Sequence, residues 1–284
     1  MIWVIINLVL LILIILIITL VIVSYSKNLF LYYPVKYDHD KYQRFRTKLL
    51  TFVKEENVEN LMIETNKDIH LDTWYLKNPN RKHVFLFCHG NAGNVTDRLE
   101  NLKFLYEYGS VIVYDYRGFG KSSGSITWCE CHDHTSDLEI LYDKLQSQFK
   151  IPSKDIILVG ESLGCSFALW LATKYRFHGV ILLSPFYSLE AMMEYVLKNS
   201  ALYSLLMKNI DHSDFTSNEW IAQINRNTPI IIIHSEDDEI IPYKQAEDLS
   251  KLHKNAKLVK ITGTHNNPSI NSEVLHEINL LVRV

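Results

Sequence analysis

Short runs of uninterrupted apolar residues, spaced so that a helix fits between them, constrain this chain most. Val84-Phe85-Leu86-Phe87-Cys88, Val111-Ile112-Val113-Tyr114, Ile156-Ile157-Leu158-Val159, Val180-Ile181-Leu182-Leu183 and Ile230-Ile231-Ile232-Ile233 carry no charge, and Leu258-Val259-Lys260-Ile261 closes the series. A strand with one wet face alternates apolar and polar residues; a strand without alternation is covered on both faces. Such strands separated by helical stretches predict an α/β fold, a mostly parallel sheet with helices on both sides. Ahead of them, Leu61–Glu64 and Ile69–Leu76 read as an antiparallel pair.

The N-terminus is of another kind. Ile2 to Val23 is almost wholly Ile, Leu and Val, interrupted by Asn7 and Thr19 and carrying no charge. As a helix, about 20 such residues span about 30 Å, the hydrocarbon thickness of a bilayer. A cleaved signal peptide fits less well: no Lys or Arg precedes the run, the run is long, and no small-residue cleavage site follows. The reading is one transmembrane helix at residues 1–24, a juxtamembrane segment at 25–60 that lies along the membrane or packs onto the body, and a body at 61–284. Lys27, Lys36, Lys41, Arg44, Arg46 and Lys48 all follow the run, so the positive-inside rule predicts a single-pass protein with a cytosolic body. The sequon Asn94-Val95-Thr96 sits just past a strand, where a glycan would obstruct a cleft, which agrees. A net charge of −3, with the basic residues spread along the chain, argues against a nucleic-acid partner. Four cysteines, Cys88, Cys129, Cys131 and Cys165, are too few and too irregular for a disulfide framework.

A parallel sheet presents its chemistry at the carboxyl ends of its strands. Those ends carry His89-Gly90-Asn91-Ala92-Gly93-Asn94, then Asp115-Tyr116-Arg117-Gly118-Phe119-Gly120-Lys121-Ser122, then Gly160-Glu161-Ser162-Leu163-Gly164. They continue with His234-Ser235-Glu236-Asp237-Asp238 and end with Gly263-Thr264-His265-Asn266. A serine between two glycines, after a strand and before the amphipathic Cys165–Ala172, is the nucleophile-elbow pattern. The glycines make sense if the turn is too sharp for a β-carbon. Two look-alikes fail on spacing. Gly118–Ser122 imitates the end of a phosphate-binding loop, but Asp115 stands where the first glycine belongs. Cys129-Glu130-Cys131-His132-Asp133-His134 imitates a metal site, but its ligands are contiguous rather than in separated pairs, so no metal is expected.

These segments together resemble an α/β-hydrolase-fold serine hydrolase from about Leu61 to the end, and most resemble the membrane-anchored α/β-hydrolase-domain proteins. Those proteins share an N-terminal anchor, an H-G-N-A-G-N loop, a D-Y-R-G-x-G-x-S loop, the serine elbow and a G-T-H-N ending, all present here in order. The resemblance implies a triad of Ser162 as nucleophile, His265 as general base and then acid, and an aspartate that orients the imidazole. The family spacing of four residues after the histidine selects Asp238, with Asp237 the alternative. The backbone N–H groups of Asn91 and Leu163 are the expected oxyanion hole. No cofactor is expected. Cys165 after Gly164 and Ser235 after His234 depart from the family pattern without removing a catalytic group.

In this fold, insertions at the position of residues 187–228 form caps over the cleft. This one is rich in apolar residues, with Met192, Met193, Leu205 and Leu206 as candidate substrate contacts; they either pack on the body or line an acyl tunnel. The expected partners are the lipid bilayer and an acyl ester or thioester, from a lipid or an acylated protein. Two other classes remain open: a serine peptidase of the same fold, and a catalytically silent membrane adaptor.

Overall fold

The computed structural model describes residues 31–66, 68–127, 129–197 and 214–283, and in the N-terminal run Trp3, Ile6, Asn7, Leu10, Leu11 and residues 13–15. The expected anchor therefore lies mostly outside the described residues. Those that are described are helical and exposed, with Asn7 Nδ2 donating to Trp3 O at 3.0 Å. Among the described residues no helix is long and apolar enough to cross a membrane.

The strands are β1 (Tyr33–Pro34), β2 (Val58–Glu64), β3 (His70–Leu76), β4 (Val84–Cys88), β5 (Ala92–Gly93), β6 (Ser110–Tyr114), β7 (Ile156–Glu161), β8 (Gly179–Leu183), β9 (Ile230–Ser235), β10 (Ala256–Thr264) and β11 (Asn267–Ser269). Among the described residues, nine form one sheet in the order β11-β10-β9-β8-β7-β4-β6-β3-β2, and β1 pairs with β5 apart from it. The six strands from β10 to β6 run parallel; β2, β3 and β11 run antiparallel to their neighbours. The chain passes from β4 to one side, to β6, then returns to the other side of β4 as β7. That reversal opens a crevice at the carboxyl ends of β4 and β7.

Alternation within each strand shows why the apolar runs are uninterrupted. Leu86, Ile112, Leu158, Leu182 and Ile232 belong to one core; Phe85, Phe87, Val113, Ile157, Val159, Ile181 and Ile233 belong to another on the opposite face. The helices are α1 (His39–Leu49), α2 (Leu99–Tyr106), α3 (Cys131–Phe149), α4 (Leu163–Lys174), α5 (Leu189–Leu197), α6 (Ser217–Gln223), α7 (Tyr243–Ser250) and α8 (Ser272–Arg283). Buried residues of α3, α4 and α7 join the first core, and those of α1, α2 and α8 the second.

Of the two placements read for the segment before Leu61, along the membrane or on the body, its described residues take the second. Residues 32–53, read from sequence as juxtamembrane, contribute Tyr32 to the first core and Tyr42, Phe45, Leu49 and Val53 to the second. Asp38 caps α1 by accepting from Lys41 N at 2.7 Å. The α1 helix buries Tyr42, Phe45 and Leu49, at i, i+3 and i+7, among residues that are otherwise mostly charged or polar. The Tyr42 hydroxyl lies 2.8 Å from Asp72 Oδ2 and 3.2 Å from Asp115 Oδ2, both carboxylates being fully buried. Burial pushes the Tyr42 phenol far up, and the two carboxylates push it further, so it stays neutral and donates.

Phe45 is 3% exposed and meets Trp74 edge-on at 5.2 Å. Phe45→Ala should therefore cost about 3–5 kcal/mol, and the exposed Arg44→Ala under about 0.5 kcal/mol. Denaturant unfolding of the full chain in detergent measures both. A loss below about 1 kcal/mol for Phe45→Ala would make α1 a peripheral helix.

Candidate active site

Between β7 and α4 the chain reverses through Ser162, whose φ of +51° and ψ of −116° lie where a residue with a β-carbon is strained. The flanking glycines make that turn possible. A β-carbon at Gly160 would lie 2.4 Å from Cys165 Cα, and one at Gly164 would lie 2.0 Å from Cys88 O. Ser162 N–H donates to Leu183 O at 2.8 Å, tying the turn to β8. The helix that follows is buried on nearly every side, and burial raises the Cys165 thiol far above its ordinary value, so the cysteine is a packing residue.

The acid loop follows β9. Asp238 Oδ1 accepts from Ile240 N–H at 2.9 Å and Ile241 N–H at 2.8 Å. Its Oδ2 lies 2.7 Å from His265 Nδ1 and 3.4 Å from His234 Nε2. Burial alone would raise the Asp238 pKa; hydrogen bonds from His234, His265 and Ile241 N–H outweigh it and hold the carboxyl well below the usual carboxylate range. Asp237 is exposed and turned toward β10, where Gly263 N–H lies 3.4 Å from its Oδ2. Of the two aspartates, the one against the imidazole is Asp238.

His265 occupies the turn of the β10–β11 hairpin, closed by the pairing of Thr264 with Asn267. Its Nε2 lies 3.1 Å from Ser162 Oγ, across 103 residues of sequence. Glu239 Oε2 accepts from His265 N–H at 3.0 Å, a contact the sequence does not signal beyond a run of acidic residues. A carboxylate on Nδ1 places the ring proton there and leaves Nε2 to accept from the serine.

Leu163 is the first residue of α4, and first-turn N–H groups have no intrahelical acceptor. Asn91 stands in the loop past β4; its carbonyl accepts from Tyr33 N–H at 2.8 Å, and its amide donates to Leu31 O at 2.9 Å. His89 is fully buried beside the Tyr116 ring, 4.3 Å between centroids, and its Nδ1 lies 2.7 Å from Gly90 O. It is a structural residue of this loop. Arg98 forms a 2.8 Å ion pair with Glu161 and donates to Ala92 O at 2.8 Å, linking the elbow to the same loop.

Of the cap residues, Met192 and Met193 lie on α5, with Met192 Sδ accepting from Gln245 Nε2 at 3.1 Å. Leu205 and Leu206 fall outside the described residues. A cavity of about 710 Å³ lined by Phe177, His178, Pro229 and Leu281 opens at the amino ends of the strands, away from this constellation. Asn94 of the sequon is fully buried: its Oδ1 caps Thr96 N–H, and its Nδ2 donates to Val35 O. Among the described residues no group of three or more His, Cys, Asp or Glu could hold a metal; Asp133 instead receives Arg117 at 2.9 Å. In the loop that imitates a phosphate site, Ser122 Oγ donates to Asp115 O and accepts from Asp72 N–H.

The family model described as "Serine aminopeptidase, S33" matches residues 79–224. An uncharacterized protein, R595, of Acanthamoeba polyphaga mimivirus is 38% identical over 268 residues, covering 89% of this chain and 91% of its own. An uncharacterized membrane protein of Saccharomyces cerevisiae, YNL320W, is 29% identical over 65% of this chain and 64% of its own. The lysophosphatidylserine lipase ABHD12 of Danio rerio is 30% identical over 65% of this chain and 51% of its own. Among solved structures, the Pyrococcus furiosus esterase Pf2001 superposes with a TM-score of 0.62 at 20% identity, over 83% of this chain and 89% of its own, a likeness of fold. With its parallel sheet, its serine elbow and the matched model spanning half its length, the chain belongs to the α/β-hydrolase family described as serine aminopeptidase S33.

Proposed function

We propose that the chain is a membrane-anchored serine hydrolase that cleaves acyl esters or thioesters through Ser162, His265 and Asp238. The observation that carries the reading is the His265 ring between Asp238 Oδ2 at 2.7 Å and Ser162 Oγ at 3.1 Å. Ser162 Oγ attacks the acyl carbon as its proton passes to His265 Nε2. The Asn91 and Leu163 N–H groups stabilise the oxyanion. Collapse expels the alcohol or thiol, which takes the proton from His265, and leaves an acyl-Ser162 ester. Water, giving its proton to His265 Nε2, then attacks the acyl carbon; the acid leaves and Ser162 Oγ takes the proton back from His265. Asp238 stays ionised throughout and stabilises the imidazolium.

The apolar run at 2–23 and the basic residues after it support a single-pass anchor with a cytosolic body, and a yeast relative is named a membrane protein. The apolar cap, with Met192 and Met193 and the sequence positions Leu205 and Leu206, supports an acyl substrate drawn from a lipid or an acylated protein. A zebrafish relative named a lysophosphatidylserine lipase and a solved neighbour named an esterase support the same class. A peptidase is the second reading, favoured by the family's description as an aminopeptidase; aminoacyl anilides assayed beside p-nitrophenyl esters separate the two.

Ser162→Ala should lower ester hydrolysis by about a thousandfold or more and abolish fluorophosphonate labelling, with the unfolding midpoint nearly unchanged. Retained labelling would assign the nucleophile elsewhere. Asp238→Asn should cost far more activity than Asp237→Asn, and the reverse order would shift the acid by one residue.

Stability carries the same signature with a definite sign. A depressed carboxyl stabilises the fold fully above its unfolded value of about 3.9 and loses that contribution as pH falls toward the folded one. The stability gap between wild type and Asp238→Asn should be flat above about pH 5 and should narrow below about pH 3.9, by at most about 1.4 kcal/mol per pH unit. A gap constant to pH 2.5 would refute an ionised Asp238.

If the cap lines the acyl site, each buried CH₂ contributes about 0.8 kcal/mol, so two more should raise kcat/KM about tenfold. Leu205→Asp or Leu206→Asp should then lower hydrolysis of long-chain esters far more than of acetate. A flat chain-length profile would make the cap mere packing.

A further inference from the structure

The candidate oxyanion loop is held by residues from outside the sheet. The β4–β7 ladder ends at Cys88 and Gly160, so the chain from His89 to Gly93 runs beyond its last sheet partner. What it pairs with is the strap Leu31–Tyr37, which carries β1. Asn91 is gripped twice, its side-chain amide donating to Leu31 O at 2.9 Å and its carbonyl accepting from Tyr33 N–H at 2.8 Å. The grip continues along the loop, with Val35 N–H donating to Gly93 O at 2.9 Å and Asn94 Nδ2 donating to Val35 O at 3.0 Å. Gly120 N–H also donates to Val35 O at 3.0 Å, and Tyr37 N–H returns a bond to Gly120 O at 3.0 Å.

The strap is in turn pinned. Tyr32, 2% exposed, inserts its ring 4.8 Å from His134 and 6.3 Å from Phe119. His134, fully enclosed and pushed down to about 3 by burial and then by Arg117, is neutral and serves as an aromatic wall. Tyr33, Val35 and Tyr37, the alternate residues, are exposed, so the strap is seated by the buried Tyr32 ring, the partly buried Leu31, the contact of Tyr37 with Tyr42 at 4.7 Å and a row of hydrogen bonds to its backbone.

We propose that the strap Leu31–Tyr33 is a positioning element of the catalytic site, and that the Asn91 side-chain amide is the positioning group through which it aims the Asn91 backbone N–H at the oxyanion. This rests on the reading of Asn91 as an oxyanion donor. A misaimed donor loses its interaction with the developing charge and leaves ground-state binding alone, so the effect falls on kcat.

The test is Asn91→Ala, which keeps the backbone N–H and deletes the bond to Leu31, and Asn91→Asp, which keeps the shape and sets a carboxylate against the Leu31 carbonyl. Both are made in the full-length chain in detergent and assayed on a p-nitrophenyl ester. Active sites are counted by fluorophosphonate titration, and Ser162→Ala is run in parallel. Deleting an oxyanion donor outright costs about 10²–10³ in kcat, so misaiming one should cost about tenfold to a hundredfold. The expected result is that loss in kcat per titrated site for both variants, with KM within about twofold. A kcat per titrated site within about twofold of wild type overturns the proposal. So does a loss explained wholly by fewer titratable sites, which is a folding effect. Full activity in Ser162→Ala overturns the catalytic reading and the strap with it; loss there beside a wild-type Asn91→Ala overturns the strap alone.

Discussion

Everything at the candidate site depends on how closely helix α4 approaches the end of β4. Only a residue without a β-carbon fits at Gly164, because that atom would lie 2.0 Å from Cys88 O and 2.5 Å from His89 O. The approach sets the first turn of α4 beside the loop after β4, where Asn91 stands, and forces Ser162 into its positive-φ turn. Strain of that kind costs about 1–3 kcal/mol and persists only where packing over-determines it. Here the packing is α4 itself, whose Leu163, Cys165, Phe167, Ala168, Leu169 and Leu171 are essentially sealed.

Around this centre the polar groups are deployed by one rule: a buried carboxyl must be surrounded by donors. Asp238 meets it with two backbone N–H groups and two imidazoles. Asp115 takes Val95 N–H at 2.7 Å and the Tyr42 phenol, and Asp72 takes Asn60 Nδ2 and the same phenol. Arg117 is held between Asp133 and Asp137 at 2.9 and 2.6 Å, which fixes the loop after β6 to α3. Only Asp238 among these acids faces an imidazole that also reaches a serine.

The central strands were legible because burial on both faces leaves an unmistakable apolar run. The pairing of Asp238 with His265 was legible only through resemblance to a family, since Asp237 and Asp238 are chemically identical and one peptide apart. Their separation is a matter of backbone: Ile240 and Ile241 N–H groups turn inward onto Asp238. Helix α1 was missed because HDKYQRFRTKL is mostly charged or polar; its i, i+3, i+7 stripe of Tyr42, Phe45 and Leu49 and the Asp38 cap were the available signal. Strands β1, β5 and β11 span two or three residues each, too short for any period to register. Nothing local in the sequence announces that Leu31 and Tyr33 bond to Asn91, because that contact spans about sixty residues and uses only backbone atoms on the side of Leu31 and Tyr33.

The hairpin that carries His265 ends at the edge of the sheet. Ser162 follows β7, with sheet partners on both sides, whereas β11 is an edge strand of three residues bonded only to β10. Edge elements of this sort open at far lower free energy than central strands. Local fraying at Asn267–Ser269 would leave His265 held by its bonds to Asp238 and Glu239 alone while the two cores stay closed. Opening there is a reversible, sub-global event in which Ser162 keeps its geometry, loses its contact with His265, and recovers it when the hairpin re-zips.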